Sequence, residues 1–264
     1  MKHKQMKEQP SFFDFAAEVG LTKHIGGIAA TEALIELCHI GRESFVLDVG
    51  CGVGATACFI AARVGCRVVG VDILEKMVER SRERASRQKL THRVEFRVAD
   101  AQNLPFADSL FDVVLTESVT AFPEDKQKAV REYARVTKPG GYVGLNESAW
   151  LKTPPPPEMI AWAAQEVGAS VKPLTPDEWV GLLDLAGLKE ITTKTYPIDL
   201  QEEAQGILQR YGWGGMLRVM GRMLRLYAAN PHYREFVKRV RQGGFVPEHL
   251  DAYFGYGLFV GRKE

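Results

Sequence analysis

From Ser44 onward, short runs rich in β-branched residues alternate with longer stretches in which apolar positions recur every three or four residues. The runs 45–49, 67–71, 94–99, 111–115, 142–146, 190–198 and 253–261 predict strands, and the stretches 55–64, 74–89 and 124–137 predict helices between the earlier ones. Strand and helix alternating in this order is the pattern of a parallel sheet covered by helices on both faces. The expected fold class is therefore α/β, a doubly wound, mostly parallel sheet of seven strands.

The flanks add helices to this core. Residues 28–37 place Ile28, Leu34, Ile35 and Leu37 against polar Thr31, Glu32 and Glu36, which predicts a helical cap over 1–43. The four prolines from Pro154 to Pro157 predict a loop leaving the fifth strand, and a helix from Pro176 to Ala186 stops at Gly187. Helical period over 216–228 and 232–241 predicts a helical insertion, 201–250, that acts as a lid over an acceptor. The α/β core is then 44–200 joined to 251–264.

Charge and cysteine usage narrow the setting. Lys and Arg total 34 against 33 for Asp and Glu, a balance that gives no nucleic-acid footprint. Cys38, Cys51, Cys58 and Cys66 form no C-x-x-C pair, so neither a zinc site nor a redox motif is expected, and Cys51 and Cys58 read as small buried fillers. Asp14 and Glu18 interrupt any signal-peptide core, and the weakly charged stretch 49–62 stops at Arg63, too short to span a bilayer. These features predict a cytoplasmic protein.

The segment VLDVGCGVGAT sets Gly50, Gly52 and Gly54 between a buried strand and a helix, where backbone can approach a ligand and helix N–H groups can face an anion. Asp72 closes the second strand 22 residues after Gly50, in position for ribose hydroxyls. Gly50, Gly52 and Ala55 also satisfy the G-x-G-x-x-A pattern of nicotinamide dinucleotide sites, so an NAD(P)-dependent oxidoreductase stays open on this loop alone.

Four motifs in succession, VLDVGCGVG (46–54), VVGVDILEKMVERSRERA (68–85), FRVADAQNLPFADSLFDVVLTES (96–118) and REYARVTKPGGYVGLNE (131–147), resemble those of the class I S-adenosylmethionine (SAM)-dependent methyltransferases of the type-11, ubiquinone/menaquinone-biosynthesis-like group. The resemblance implies SAM as cofactor and methyl transfer to a small-molecule acceptor. It implies Asp48, Gly50, Gly52 and Gly54 at the amino-acid end of SAM, Asp72 on the ribose and Ile73 against the adenine. Asp100 and Ala101 would hold the adenine edge, with Thr116 and Glu117 beneath the methyl, and Pro139, Gly140 and Gly141 would turn the chain into the fifth strand. A protein that keeps the SAM fold without catalysing transfer is the remaining alternative.

Methyl transfer from a sulfonium needs positioning and exclusion of water more than acid–base chemistry, and no metal is demanded. Glu117, Glu147 and His24 are the candidate bases for an acceptor that must lose a proton. Trp150, Trp162, Tyr211 and Trp213 are candidate pocket walls. One further feature stands outside these motifs. From Met216 to Arg241 seven cations accompany one anion, Glu235, and Arg218, Arg222 and Arg225 share one helix face opposite Leu217, Met220, Met223, Leu224 and Tyr227. This predicts either a solvated basic face over a helix packed on the insertion, or a surface that meets an anionic acceptor or a membrane.

Overall fold

The computed structural model describes residues 12–22, 24–166, 172–242 and 246–264. Its strands β1 (Phe45–Val49), β2 (Arg67–Asp72), β3 (Val94–Val98), β4 (Phe111–Glu117), β5 (Thr137–Trp150), β6 (Leu188–Pro197) and β7 (Phe254–Lys263) form one sheet in the order β3-β2-β1-β4-β5-β7-β6. The pairs from β3 to β5 are parallel, and β7 runs antiparallel to both of its neighbours.

A continuous apolar run buries both faces of a central strand. Leu47 and Val49 of β1 enter a core with Val114, Tyr133 and Trp179, whereas Val46 joins the opposite core with Leu34, Ile60 and Val78. The helices supplying the first core are α5 (Lys126–Val136) and α7 (Pro176–Leu185). Those supplying the second are α2 (Gly27–Leu37), α3 (Ala55–Val64) and α4 (Glu75–Arg87). The sheet order reverses between β1 and β4, so their following loops part and leave a crevice at the strand ends.

Several boundaries depart from the sequence reading. The chain enters a helix already at α1 (Phe12–Val19), and Pro157 opens α6 (Pro157–Glu166) instead of ending the expected loop. A proline is compatible with the first helical turn, where no partner for its missing N–H is needed. Gly140 adopts φ +79° but lies inside β5, where the register against β4 shifts, so the Pro139-Gly140-Gly141 segment is an irregularity of the strand. The insertion is one long helix, α8 (Leu200–Ala229), broken at Gly212 (φ 62°, ψ 168°), followed by α9 (Pro231–Gln242) and the short α10 (Leu250–Tyr253). The half of α8 before the break carries no clean apolar period, which hid it from the pattern.

Glu147 sits in β5, fully buried, and its Oε1 accepts the backbone N–H groups of Val119 (2.9 Å) and Thr120 (2.6 Å). Burial pushes its carboxyl up to about 7 against the opposing effect of those donors. The contact fixes the loop after β4 over the crevice. Glu147→Ala leaves the buried Thr120 N–H and the part-buried Val119 N–H without this partner and should cost about 1–3 kcal/mol of folding stability. Glu147→Gln, which keeps an acceptor, should lose much less. Denaturant titration checks the order, and equal losses in the two variants would refute this role.

Candidate active site

The loop from β1 to α3 turns on three left-handed glycines, Gly50, Gly52 and Gly54, with φ of 69°, 53° and 69°. A Cβ on Gly50 would stand 2.4 Å from Val119, and one on Gly54 would stand 2.8 Å from Phe96. Neither position admits a side chain, so backbone is exposed to the crevice at Gly50, while Gly54 packs away from it. Asp72, at the end of β2, fastens the loop: its Oδ2 accepts the Gly52 N–H and its Oδ1 the Leu74 N–H, both at 2.9 Å. Burial raises its carboxyl above the usual range although these two donors oppose the shift. A carboxylate retains further lone-pair directions for hydroxyl groups.

The crevice is a cavity of about 540 Å³, within the usual range for a small-molecule site. Asp48, Gly50, Gly52, Asp72, Ile73, Asp100, Ala101, Glu117 and His24 all line it. Ile73 is 64% exposed there, an apolar side chain held out at the cavity wall. Asp100 Oδ1 accepts the Gln102 N–H at 2.9 Å, so the residue also shapes a turn.

Three expected residues do not line the cavity. Gly54 faces Phe96 and Ser81. Thr116 is fully buried, with its hydroxyl 3.2 Å from that of Thr120, and Glu147 holds the loop after β4. The four candidate aromatic walls are elsewhere too. Trp150 and Trp162 pack edge-on against Phe254, Tyr211 donates its hydroxyl to the Thr22 carbonyl, and Trp213 is 76% exposed. The aromatic wall consists instead of Phe13 and Phe122, edge to face at 4.9 Å.

Glu117 is the hub of the buried side. Its carboxylate accepts the hydroxyls of Thr31 (3.0 Å) and Thr56 (2.7 Å) and lies 3.2 Å from His24 Nε2. Burial lowers the His24 imidazole to about 4 even though Glu117 pulls the other way, so the ring is neutral at pH 7. With both carboxylate oxygens occupied, Glu117 serves as an anchor for the segment around His24 more readily than as a free base.

Arg210, from α8, reaches the same cavity and donates to the Thr56 hydroxyl. Among the described residues its Nη1 is buried without a partner, and so is Oδ2 of Asp48. Burial and the neighbouring Glu117 raise the Asp48 carboxyl to about 8, with Arg210 opposing the shift. Nothing in the sequence near Arg210 marked it, because its place depends on a helix packed some 150 residues from the loop it faces. The cysteines Cys38, Cys51, Cys58 and Cys66 are free and buried. Among the described residues no group of His, Cys, Asp and Glu has the arrangement of a metal centre.

A family model described as a methyltransferase domain matches residues 47–145. An uncharacterised protein of Haemophilus influenzae is 30% identical over 239 residues, covering 89% of this chain and 92% of its own length. The 27-O-demethylrifamycin SV methyltransferase of Amycolatopsis mediterranei is 38% identical over 161 residues, 60% of this chain and 59% of that protein, so the chain spans under two thirds of that relative. Among solved structures, phosphoethanolamine N-methyltransferase 2 of Haemonchus contortus, in complex with phosphomonomethylethanolamine and S-adenosylhomocysteine, superposes with a TM-score of 0.69. That match has 18% identity and covers 95% of this chain and 56% of the other. The glycine loop, the strand-end acids and these likenesses agree: the chain belongs to the class I SAM-dependent methyltransferases.

Proposed function

We propose that the cavity binds SAM with its amino-acid end between Asp48 and Arg210, its ribose on Asp72 and its adenine against Ile73 and the Asp100–Ala101 edge. The methyl group then passes to a small-molecule acceptor beneath Phe13 and Phe122. The observation that carries this reading is the pair of buried, partnerless atoms, Asp48 Oδ2 and Arg210 Nη1. A buried acceptor and a buried donor left unmade are costly. A zwitterionic amino-acid group satisfies both at once, its ammonium on the carboxylate and its carboxylate on the guanidinium. A nicotinamide dinucleotide offers no ammonium for Asp48.

The fit extends to the rest of the cofactor. Gly50 supplies the bare backbone, Asp72 keeps unused acceptor directions, and Ile73 presents an apolar surface to a flat ring. When bound, SAM supplies an already activated methyl. The chain's own residues have to orient it and keep water out. His24, held by Glu117 and Thr31, closes one wall of the cavity, and α8 closes another through Arg210. The names of the relatives support a small-molecule acceptor, and Arg210 at the cavity supports reading the insertion, 201–250, as an acceptor lid. Four buried free thiols support a reducing, cytoplasmic setting.

Isothermal titration should show binding of SAM and of S-adenosylhomocysteine but not of NAD. Asp72→Ala should weaken SAM by about tenfold or more, since hydrogen bonds to a charged group contribute roughly 1.5–3 kcal/mol each. Binding of NAD alone would overturn the reading. Arg210→Ala should weaken SAM by about tenfold while leaving 5′-methylthioadenosine, which lacks the amino-acid end, unchanged. Equal losses for both ligands would remove Arg210 from this role.

The Asp48 shift gives a pH signature. Its ordinary value is 3.8 and its value in the free fold is about 8, so at pH 7 the free protein holds a proton there. An ammonium beside it favours the carboxylate, so at pH 7 binding expels that proton, and the release fades as the pH rises past about 8, where the free protein has already lost it. The calorimetric enthalpy of SAM binding at pH 7 should therefore differ between buffers of high and low ionisation enthalpy. Identical enthalpies would show that Asp48 is not the ammonium's partner.

A further inference from the structure

Beyond the break at Gly212, α8 does not bury its largest apolar side chains. Trp213, Leu217, Met220, Leu224 and Tyr227 recur at intervals of four and three residues, so they form one stripe along the helix. Their exposures run from 44% to 76%. The side turned inward carries Gly215 and Val219, with Leu226 packed beside Phe15 and Tyr233. Arg222 also points inward, pairing with Glu83 at 3.1 Å and lying over Gly20. Of the two readings the sequence leaves open, a solvated basic face over a packed helix expects the reverse for the apolar residues, whereas a surface that meets an anionic acceptor or a membrane does not. Of the three arginines in this half of α8, Arg218 and Arg225 are exposed, each about 100° round the helix from the neighbouring stripe residue, on its flank and away from the buried Val219.

A stripe of this kind spans roughly 21 Å of helix at 1.5 Å per residue, and large uncovered apolar runs on soluble proteins mark contact surfaces. The charge beside it selects the occupant. From Met216 to Ala229 the helix holds three arginines and no acid. A second copy presenting the same helix would bring cations to meet Arg218 and Arg225. An anionic lipid surface brings phosphates to those arginines and hydrocarbon to the stripe. Trp213 and Tyr227, at the two ends, are amphipathic rings suited to the boundary between headgroup and acyl chain.

We propose that this face of α8 lies in the plane of an anionic membrane surface, with the stripe among the upper acyl chains and Arg218 and Arg225 on lipid phosphates. The binding follows from the face alone. Its purpose rests on the methyltransferase reading: Arg210, two residues before the break, lines the cavity, so one helix joins the docked face to the site. A lipid-dissolved acceptor then has a short route to the methyl group.

Co-sedimentation with vesicles tests this. The protein should pellet with phosphatidylcholine mixed with phosphatidylglycerol, far less with phosphatidylcholine alone, and progressively less as salt rises from about 0.1 M to about 1 M, where the screening length falls from about 10 Å to about 3 Å. Leu217→Glu combined with Leu224→Glu should abolish pelleting, and Arg218→Gln with Arg225→Gln should weaken it by about tenfold or more. All of these positions are exposed, so thermal unfolding and SAM titration should be unchanged in both variants. Failure of the native protein to pellet with anionic vesicles at low salt would overturn the proposal. So would a solution dimer that dissociates in the double glutamate variant, which would assign the face to a second copy. If SAM titration of the native protein shows no binding while vesicles do pellet it, the methyltransferase reading fails and the membrane contact stands.

Discussion

The carboxylate of Glu117, buried at the end of β4, is the point on which the site depends. A buried acid needs donors around it, and here they come from different parts of the chain, Thr31 from α2 and Thr56 from α3, with His24 Nε2, from the segment before α2, 3.2 Å away. Asn146 of β5 reaches the same carboxylate at 3.4 Å while donating to the Ile25 carbonyl at 2.8 Å. Arg210 is then drawn in through Thr56. One buried, well-partnered acid thereby joins the amino-terminal helices, the sheet and the insertion around a single cavity. Loss of any one donor would be felt by the others, because each is positioned by the same two oxygens.

The core was readable because its signals are local. A buried parallel strand must be apolar on both faces, and a loop passing under a ligand at positive φ must be glycine, so β1, β2 and the turn at Gly50 announce themselves within a few residues. Asp72 was readable for a related reason, being an acid at the carboxyl end of a strand. What escaped is everything fixed over long range. Arg210 and Phe13 reach the cavity only once α8 and α1 have docked, and neither stands in a pattern. Glu147 was legible as a strand-end acid, yet its position in the ladder points it at the Val119 and Thr120 amides and away from the cavity.

The second half of α8 shows a different limit. Period establishes that a helix has two unlike faces, and the ordinary inference sends the bulky apolar one inward. Here Gly215 and Val219 let the helix approach its neighbours closely, and Arg222 finds Glu83 across that contact. Close approach of small residues won the inner face, and the large side chains were left outside. Amphipathicity fixes the existence of an orientation; the packing surface beneath decides its sign.

The charges of the cavity carry a last consequence for how such a site turns over. Asp48, Asp72, Asp100, Glu117 and Glu124 line it, and among the described residues there only Arg210 is a fixed cation, His24 being neutral. An acid-rich wall attracts a sulfonium, and the attraction is strengthened where water is excluded. Methyl transfer removes the sulfonium charge and leaves a neutral thioether, so that part of the attraction ends with the chemical step. In the proposed binding mode the contacts of Asp48, Arg210 and Asp72 would be the same before and after transfer and would not distinguish the two forms. On that mode, discrimination between spent and unspent cofactor would fall to the collective field of the carboxylates, which no single hydrogen bond in the cavity provides.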